Sequence, residues 1–189
     1  KKVNKLDTNR INITYAGNVG LAQKLDTLID LTRKHYEIQT TIIGDGKDLP
    51  RLKEYVNQFE IKNISFTGKL SWDDLILFYE KTDIFYVQIG KEFTTAVPSK
   101  IFEYVATGRI VIISAPDGPA TQLADIFENV KAVEPENPIQ LGKLFKSILE
   151  NNLNYVDNSH NLNLIKKNYI REKQSEKLLP FIKKHIVVS

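Results

Sequence analysis

Apolar, β-branched runs alternate along this chain with stretches in which apolar residues recur every three or four positions. The first pattern reads as buried parallel strands and the second as amphipathic helices. Strands are predicted at Ile11–Ala16, Ile38–Ile43, Ile64–Thr67, Ile84–Val87, Ile110–Ser114 and Val130–Val133. Helices fill the gaps. Leu21, Leu25, Leu28, Ile29 and Thr32 fall on one face of the first, and Leu52, Val56 and Phe59 on one face of the second. Ser71-Trp72-Asp73-Asp74 opens the third with a hydroxyl followed three positions on by an acid, a capping-box-like start, and Trp72, Leu75, Ile76 and Tyr79 form its buried stripe. A helix from about Gln140 to Leu149 carries Leu141, Leu144, Phe145 and Ile148, and further helices over 160–189 follow an Asn-rich loop at Asn151–Asn158. Regular alternation of strand and helix predicts an α/β fold, a doubly wound, Rossmann-like parallel sheet of about six strands covered on both faces. There is no internal repeat, so residues 1–189 read as one domain with residues 1–10 as a linker.

Composition narrows the chemistry. A chain of 189 residues with 42% hydrophobic and 26% charged positions supports a sizeable core and reads as globular. The absence of Cys excludes a disulfide framework, thiolate catalysis and thiolate zinc sites. His35, His160 and His185 are far apart and read as surface residues, so no metal centre is expected. The net charge of +3 is small, and basic residues gather in the tail at Lys166, Lys167, Arg171, Lys173, Lys177, Lys183 and Lys184, interleaved with Glu172 and Glu176. Such a run reads as a solvated helix face; it argues against a nucleic-acid partner and leaves open peripheral contact with an anionic membrane. No apolar run approaches the ~20 residues of a membrane span and the first residues lack a signal-peptide core, which predicts a cytoplasmic protein. The missing initiator Met predicts a piece of a longer chain.

Ligands of doubly wound sheets bind beyond the carboxyl ends of the strands, so the strand-to-helix turns carry the candidate chemistry. Ala96-Val97-Pro98-Ser99-Lys100-Ile101-Phe102-Glu103-Tyr104 holds a helix start. Pro98 has no N–H to donate and Ser99 is a favoured N-cap, so the first amides of the helix point outward, toward an anion. Ser99, Lys100 and Glu103 share one helical face, with Glu103 about 6 Å further along the axis, the spacing between a diphosphate and a ribose diol. An ordinary capped helix with an exposed Lys100–Glu103 ion pair has the same spacing. The turn Gly17-Asn18-Val19-Gly20 supplies glycines that permit positive φ and amides able to meet a phosphate or sugar; a tight turn needing Gly for geometry alone looks the same. Gly-x-Gly-x-x-Gly is absent, which argues against a dinucleotide. Gly44-Asp45-Gly46 keeps the next turn low enough for a base or sugar to pass over it. The long loop Gln88–Val97, with Lys91, Glu92, Thr94 and Thr95, and the turn Pro116–Ala120 border the same edge.

Pro98-Ser99-Lys100-Ile101-Phe102-Glu103-Tyr104, followed by Ala106-Thr107-Gly108-Arg109 and Ile110–Ile113, resembles the donor-site signature of GT-B glycosyltransferases similar to glycosyltransferase family 4. Tyr15–Gly20, Ile43-Gly44-Asp45-Gly46 and Phe66-Thr67-Gly68 resemble the family's first three strand ends, in the family's order. The resemblance runs from about Ile11 to Pro135. It implies the carboxyl-terminal, donor-binding half of a two-domain enzyme that moves a sugar from a nucleoside diphosphate sugar, with a UDP-sugar expected first, to a glycan or lipid-linked acceptor held by a missing amino-terminal domain. It implies Gly17, Asn18, Gly20, Gly44, Gly46, Thr95, Ser99, Lys100 and Glu103 as donor contacts, Glu103 on the ribose hydroxyls, and no cofactor or metal. It also implies closing helices packed on the missing domain, with Leu178, Leu179 and Phe181 on the packed side. Three positions depart from the pattern: Thr95 replaces the acid eight positions before the ribose glutamate, and Asn18 and Gln23 replace a basic pair. Phosphate charge then falls to backbone amides, Lys100 and Lys91. A non-catalytic module that binds nucleotide sugars and one half of a GT-B-type UDP-sugar epimerase remain alternatives.

Overall fold

The computed structural model describes residues 10–150 and 158–169. The expected linker up to residue 9, most of the Asn-rich loop and the closing helices beyond Tyr169, with Leu178, Leu179, Phe181 and His185, lie outside the described residues. Six strands, β1 (Ile11–Ala16), β2 (Ile38–Ile43), β3 (Ile64–Gly68), β4 (Ile84–Gln88), β5 (Ile110–Ser114) and β6 (Val130–Val133), form one parallel sheet in the order β3-β2-β1-β4-β5-β6. Every predicted strand is present, and β3 and β4 each extend one residue past the predicted end.

Among the described residues, seven α-helices connect and follow the strands: α1 (Asp26–Lys34), α2 (Leu49–Gln58), α3 (Trp72–Lys81), α4 (Lys100–Val105), α5 (Leu123–Ile126), α6 (Pro138–Glu150) and α7 (Asn158–Asn168). The alternation of side chains along a strand divides the core between the two faces of the sheet. Ile13, Tyr15, Ile84 and Tyr86 pack with Leu28 of α1, Leu52 of α2 and Phe145 of α6. Ala16, Phe85 and Val87 pack with Tyr79 of α3, Ile101 and Tyr104 of α4 and Leu162 of α7. β4 and β5 are buried at every position, as befits central strands covered on both sides.

Three expected core residues lie outside it. Leu21 is 62% exposed because a short 3₁₀ turn, Leu21–Gln23, precedes the helix, and Lys24 adopts a left-handed φ of 43° that breaks the two apart. Phe59, just past α2, is 44% exposed, its ring tilted against Tyr55 with centres 4.7 Å apart and lying under the Arg33 guanidinium. Trp72 is 39% exposed, since the first turn of a helix entered from a strand's carboxyl end overhangs the sheet; the buried stripe begins one turn later at Leu75 and Tyr79. The Ser71 cap is as expected, its Oγ accepting from the Asp74 N–H at 3.2 Å.

Two ties hold the helices in place around the sheet. Arg51 of α2 donates to Asp48 at 2.6 Å and to both oxygens of Asp26 at 2.7 and 2.8 Å, fastening the starts of α1 and α2 together. Behind α4, Asn129 donates to the Arg109 carbonyl at 2.6 Å and accepts from Asn161 of α7 at 2.8 Å, while Phe102 stacks on Tyr169 with ring centres 4.6 Å apart. Helix α7 thereby braces α4 from outside. No described helix is long and apolar enough to cross a membrane.

Candidate functional site

The strand order reverses between β1 and β4, and there the sheet opens. β1 pairs with β2 over all six residues, from Ile11↔Ile38 to Ala16↔Ile43, but with β4 only at Ile13↔Ile84 and Thr14↔Phe85. Beyond this parting lies a cleft of about 440 Å³, walled by Gly17 and Asn18 from the first turn, Gly44–Gly46 from the second, Lys69 and Leu70 from the third, and Lys100 from α4. Ala16, Ile43 and Leu75 form its apolar floor.

The first two turns are packed backbone on backbone. Gly17 N–H donates to the Ile43 carbonyl at 2.9 Å, Val19 N–H to the Asp45 carbonyl at 2.9 Å, and Asp48 N–H to the Val19 carbonyl at 3.0 Å. Glycine is required on the β2 side of this contact: a Cβ on Gly44, whose φ is +135°, would lie 1.8 Å from the Gly17 carbonyl oxygen, and one on Gly46 would lie 2.2 Å from that of Val19. This corrects the expectation for the first turn. Neither Gly17 nor Gly20 has a positive φ. The Gly17 amide is used by β2, and the Gly20 amide donates to Gln23 Oε1 at 3.0 Å, which Asn18 Nδ2 also approaches at 3.3 Å. Gly17 and Asn18 line the cleft, but Gly20 lies outside its lining.

On the facing wall, α4 is six residues long. Ser99 occupies the N-cap position with helical dihedrals, φ −59° and ψ −26°, and its side chain makes no capping bond, contrary to expectation; an extended cap residue is what aims Oγ at the following amides. Ile101 and Phe102 donate to the carbonyls of Pro98 and Ser99, and the amides of Ser99 and Lys100 have no partner among the described residues. Lys100 and Glu103 share a face as the spacing predicts. Lys100 Nζ stands 3.2 Å from Glu103 Oε2 and donates to Tyr79 Oη at 3.3 Å, with both charged side chains partly buried. Burial pushes the Tyr79 hydroxyl far above the ordinary tyrosine range, reinforced by Tyr104 and Glu103, so it stays neutral beside Lys100. The simple ion pair and the cleft cation are thus the same lysine.

Thr95 and Ser99 are exposed and Glu103 is partly buried beside Lys100; none of the three lines the cleft. The turn at Pro116–Ala120 lies against the long loop, where Gly118 meets the Thr94 carbonyl, and forms no part of the cleft wall. Sequence reasoning missed Lys69 and Leu70, and assigned Leu75 to the core alone. The available signal was the position of Lys69 and Leu70 directly after Phe66-Thr67-Gly68, a strand's carboxyl end. No group of three or more potential metal-ligating side chains occurs among the described residues. An apolar floor, glycine-lined turns and two lysines in the lining suit an anion attached to a flat, partly apolar body.

Residues 1–171 match the family described as glycosyl transferases group 1. An uncharacterised glycosyltransferase of Methanocaldococcus jannaschii is 23% identical over 175 residues, covering 89% of this chain and 44% of that protein, so the chain spans less than half the relative's length. The C-terminal domain of LpcC, a glycosyl transferase group 1 family protein of Francisella tularensis, superposes with a TM-score of 0.64 at 21% identity, covering 84% of this chain and 86% of that domain. HepE of Anabaena, solved in complex with UDP and glucose, gives a TM-score of 0.69 at 13% identity over 93% of this chain and 48% of HepE. At these identities the two structures establish the shared architecture, while the family match extends over nearly the whole sequence. The chain belongs to the glycosyl transferases group 1.

Proposed function

We propose that this chain is the donor-binding half of a glycosyltransferase that takes a sugar from a nucleoside diphosphate sugar, a UDP-sugar first, and passes it to a glycan or lipid-linked acceptor. The observation that carries this reading is Lys100, which lines the same cleft as Gly44–Gly46 and whose ammonium stands 3.2 Å from Glu103. The diphosphate lies against Lys100 and the open amides of Ser99 and Lys100. The base rests on the apolar floor near Leu70 and Leu75, and Glu103 accepts hydrogen bonds from the ribose hydroxyls.

In the transfer, the bond from the anomeric carbon to the β-phosphate oxygen breaks as a bond to the acceptor oxygen forms. The nucleoside diphosphate leaves with the electron pair, and the acceptor proton passes to a base on the other half of the enzyme. Lys100 and the amides stabilise charge where it develops, on the leaving diphosphate, and need no metal to do so. Thr95 has no role in this reading. We place the parent enzyme in the cytoplasm, where exposed Lys166 and Lys167 on α7 begin a basic segment suited to the inner face of a membrane that carries lipid-linked acceptors.

Titration calorimetry of the chain against UDP, GDP, ADP and their sugars tests this. UDP and a UDP-sugar are expected to bind, with the uracil nucleotides preferred. Absence of binding by all of them would leave the donor reading without support.

A further inference from the structure

We infer that Tyr104 is a positioning residue of the donor cleft: its hydroxyl, held on the backbone of Ala16, sets the distance between the cleft groups of α4 and the glycine turns facing them. This rests on the donor-site reading above.

In an extended strand the N–H and C=O of one residue point to the same side. Gly17 donates toward β2, so the polar groups of Ala16 face the side where β4 has already parted from β1. Among the described residues, no strand reaches them. Tyr104 does, from 88 positions away: its Oη donates to the Ala16 carbonyl at 2.9 Å and accepts from the Ala16 N–H at 3.2 Å. One hydroxyl thus takes over both hydrogen bonds of the missing ladder rung, using its single donor and one acceptor site. The ring is held independently. It is 1% exposed, stacked on Phe85 at 4.3 Å and 11°, and set edge-on against Tyr79 at 5.5 Å.

The chain neighbours of this contact give it a role beyond packing. Glu103 immediately precedes Tyr104, and Gly17 immediately follows Ala16. A core position alone requires only the ring, which phenylalanine supplies at Phe85 and Phe127 in the same cluster. The hydroxyl adds a fixed link between the two walls that a nucleoside diphosphate must touch at once.

Tyr104→Phe keeps the ring and removes the link. In this chain it is expected to fold and to bind UDP at least tenfold more weakly. Inorganic pyrophosphate, which needs only the Lys100 end of α4, should bind within twofold of the parent. A variant that binds UDP within twofold of the parent, or that loses UDP and pyrophosphate equally, would overturn the positioning role while leaving the donor site standing. Failure of the parent to bind UDP, GDP and ADP alike would overturn the donor reading and this role with it. Should Tyr104→Phe not fold, amide exchange on the parent decides: saturating UDP slows Ala16 N–H exchange at least tenfold if the link joins the two walls, and unchanged exchange rejects it.

Discussion

Gly44 lies so close to Gly17 that a Cβ on it would stand 1.8 Å from the Gly17 carbonyl oxygen. The contact explains why a left-handed residue without a side chain sits at the end of β2, where the chain must drop below the first turn to leave the cleft open.

Gly44→Ala should therefore cost about 3 kcal/mol, combining a strained φ with a backbone clash. Gly142, inside α6 with no atom within 4 Å of where a Cβ would stand, provides the opposite case: Gly142→Ala should stabilise by about 0.5–1 kcal/mol through helix propensity. Urea denaturation of both variants checks this, and equal effects of like sign would refute the packing argument.

Glu103→Ala should weaken UDP binding by about 1–3 kcal/mol through loss of charged hydrogen bonds to the ribose. Lys100→Ala should weaken it by a similar amount and flatten its salt dependence, because the lost partner is a cation facing the diphosphate. Calorimetry at two ionic strengths separates the two. Unchanged affinity in Glu103→Ala would remove the ribose role.

Binding should not depend on a divalent metal. EDTA is expected to leave UDP affinity within twofold of its starting value if, as proposed, Lys100 and the amides of Ser99 and Lys100 meet the phosphates. A tenfold loss on chelation, restored by Mg²⁺ or Mn²⁺, would reject this account.

The hydrogen bonds from Arg51 hold the Asp26 carboxyl below the ordinary aspartate range, against a smaller opposing effect of burial. A carboxyl with a lowered folded-state pKa stabilises the fold above its unfolded pKa, and that contribution disappears as pH falls through the folded value. Parent stability should accordingly drop below about pH 4, and Asp26→Asn, already without the charge, should drop less. Denaturation midpoints at pH 6 and pH 3 measure the difference; parallel losses in the two proteins would contradict it.

This chain alone should bind donor without transferring sugar. It spans 44% of its Methanocaldococcus relative, and the cleft lining contains no histidine. Supplying the upstream half of the parent enzyme should produce acceptor-dependent release of nucleoside diphosphate. Robust transfer by these 189 residues would return the search for a base to Asp45, Glu92 and Asp117.

The sequence by itself determined the strands, their alternation with helices, and the faces that α1, α3 and α6 bury, because periods of 2 and 3.6 are properties of neighbouring residues. It also placed Lys100 and Glu103 on one face of α4 and marked the Gly44–Gly46 turn. Other features depended on segments meeting from afar. Which turn needs glycine, and which of its amides are already used, was decided when the β1 and β2 turns packed on each other. Trp72 reads as core until the overhang of α3 leaves it in solvent. Lys69 and Leu70 become cleft residues only because β3 lies beside β2. Tyr104 looks like one more buried aromatic in a helical stripe; its second role appears only where β1 and β4 part. No local pattern encodes that contact, because the two polar groups it satisfies are orphaned by the topology of the sheet and by nothing near them in the chain.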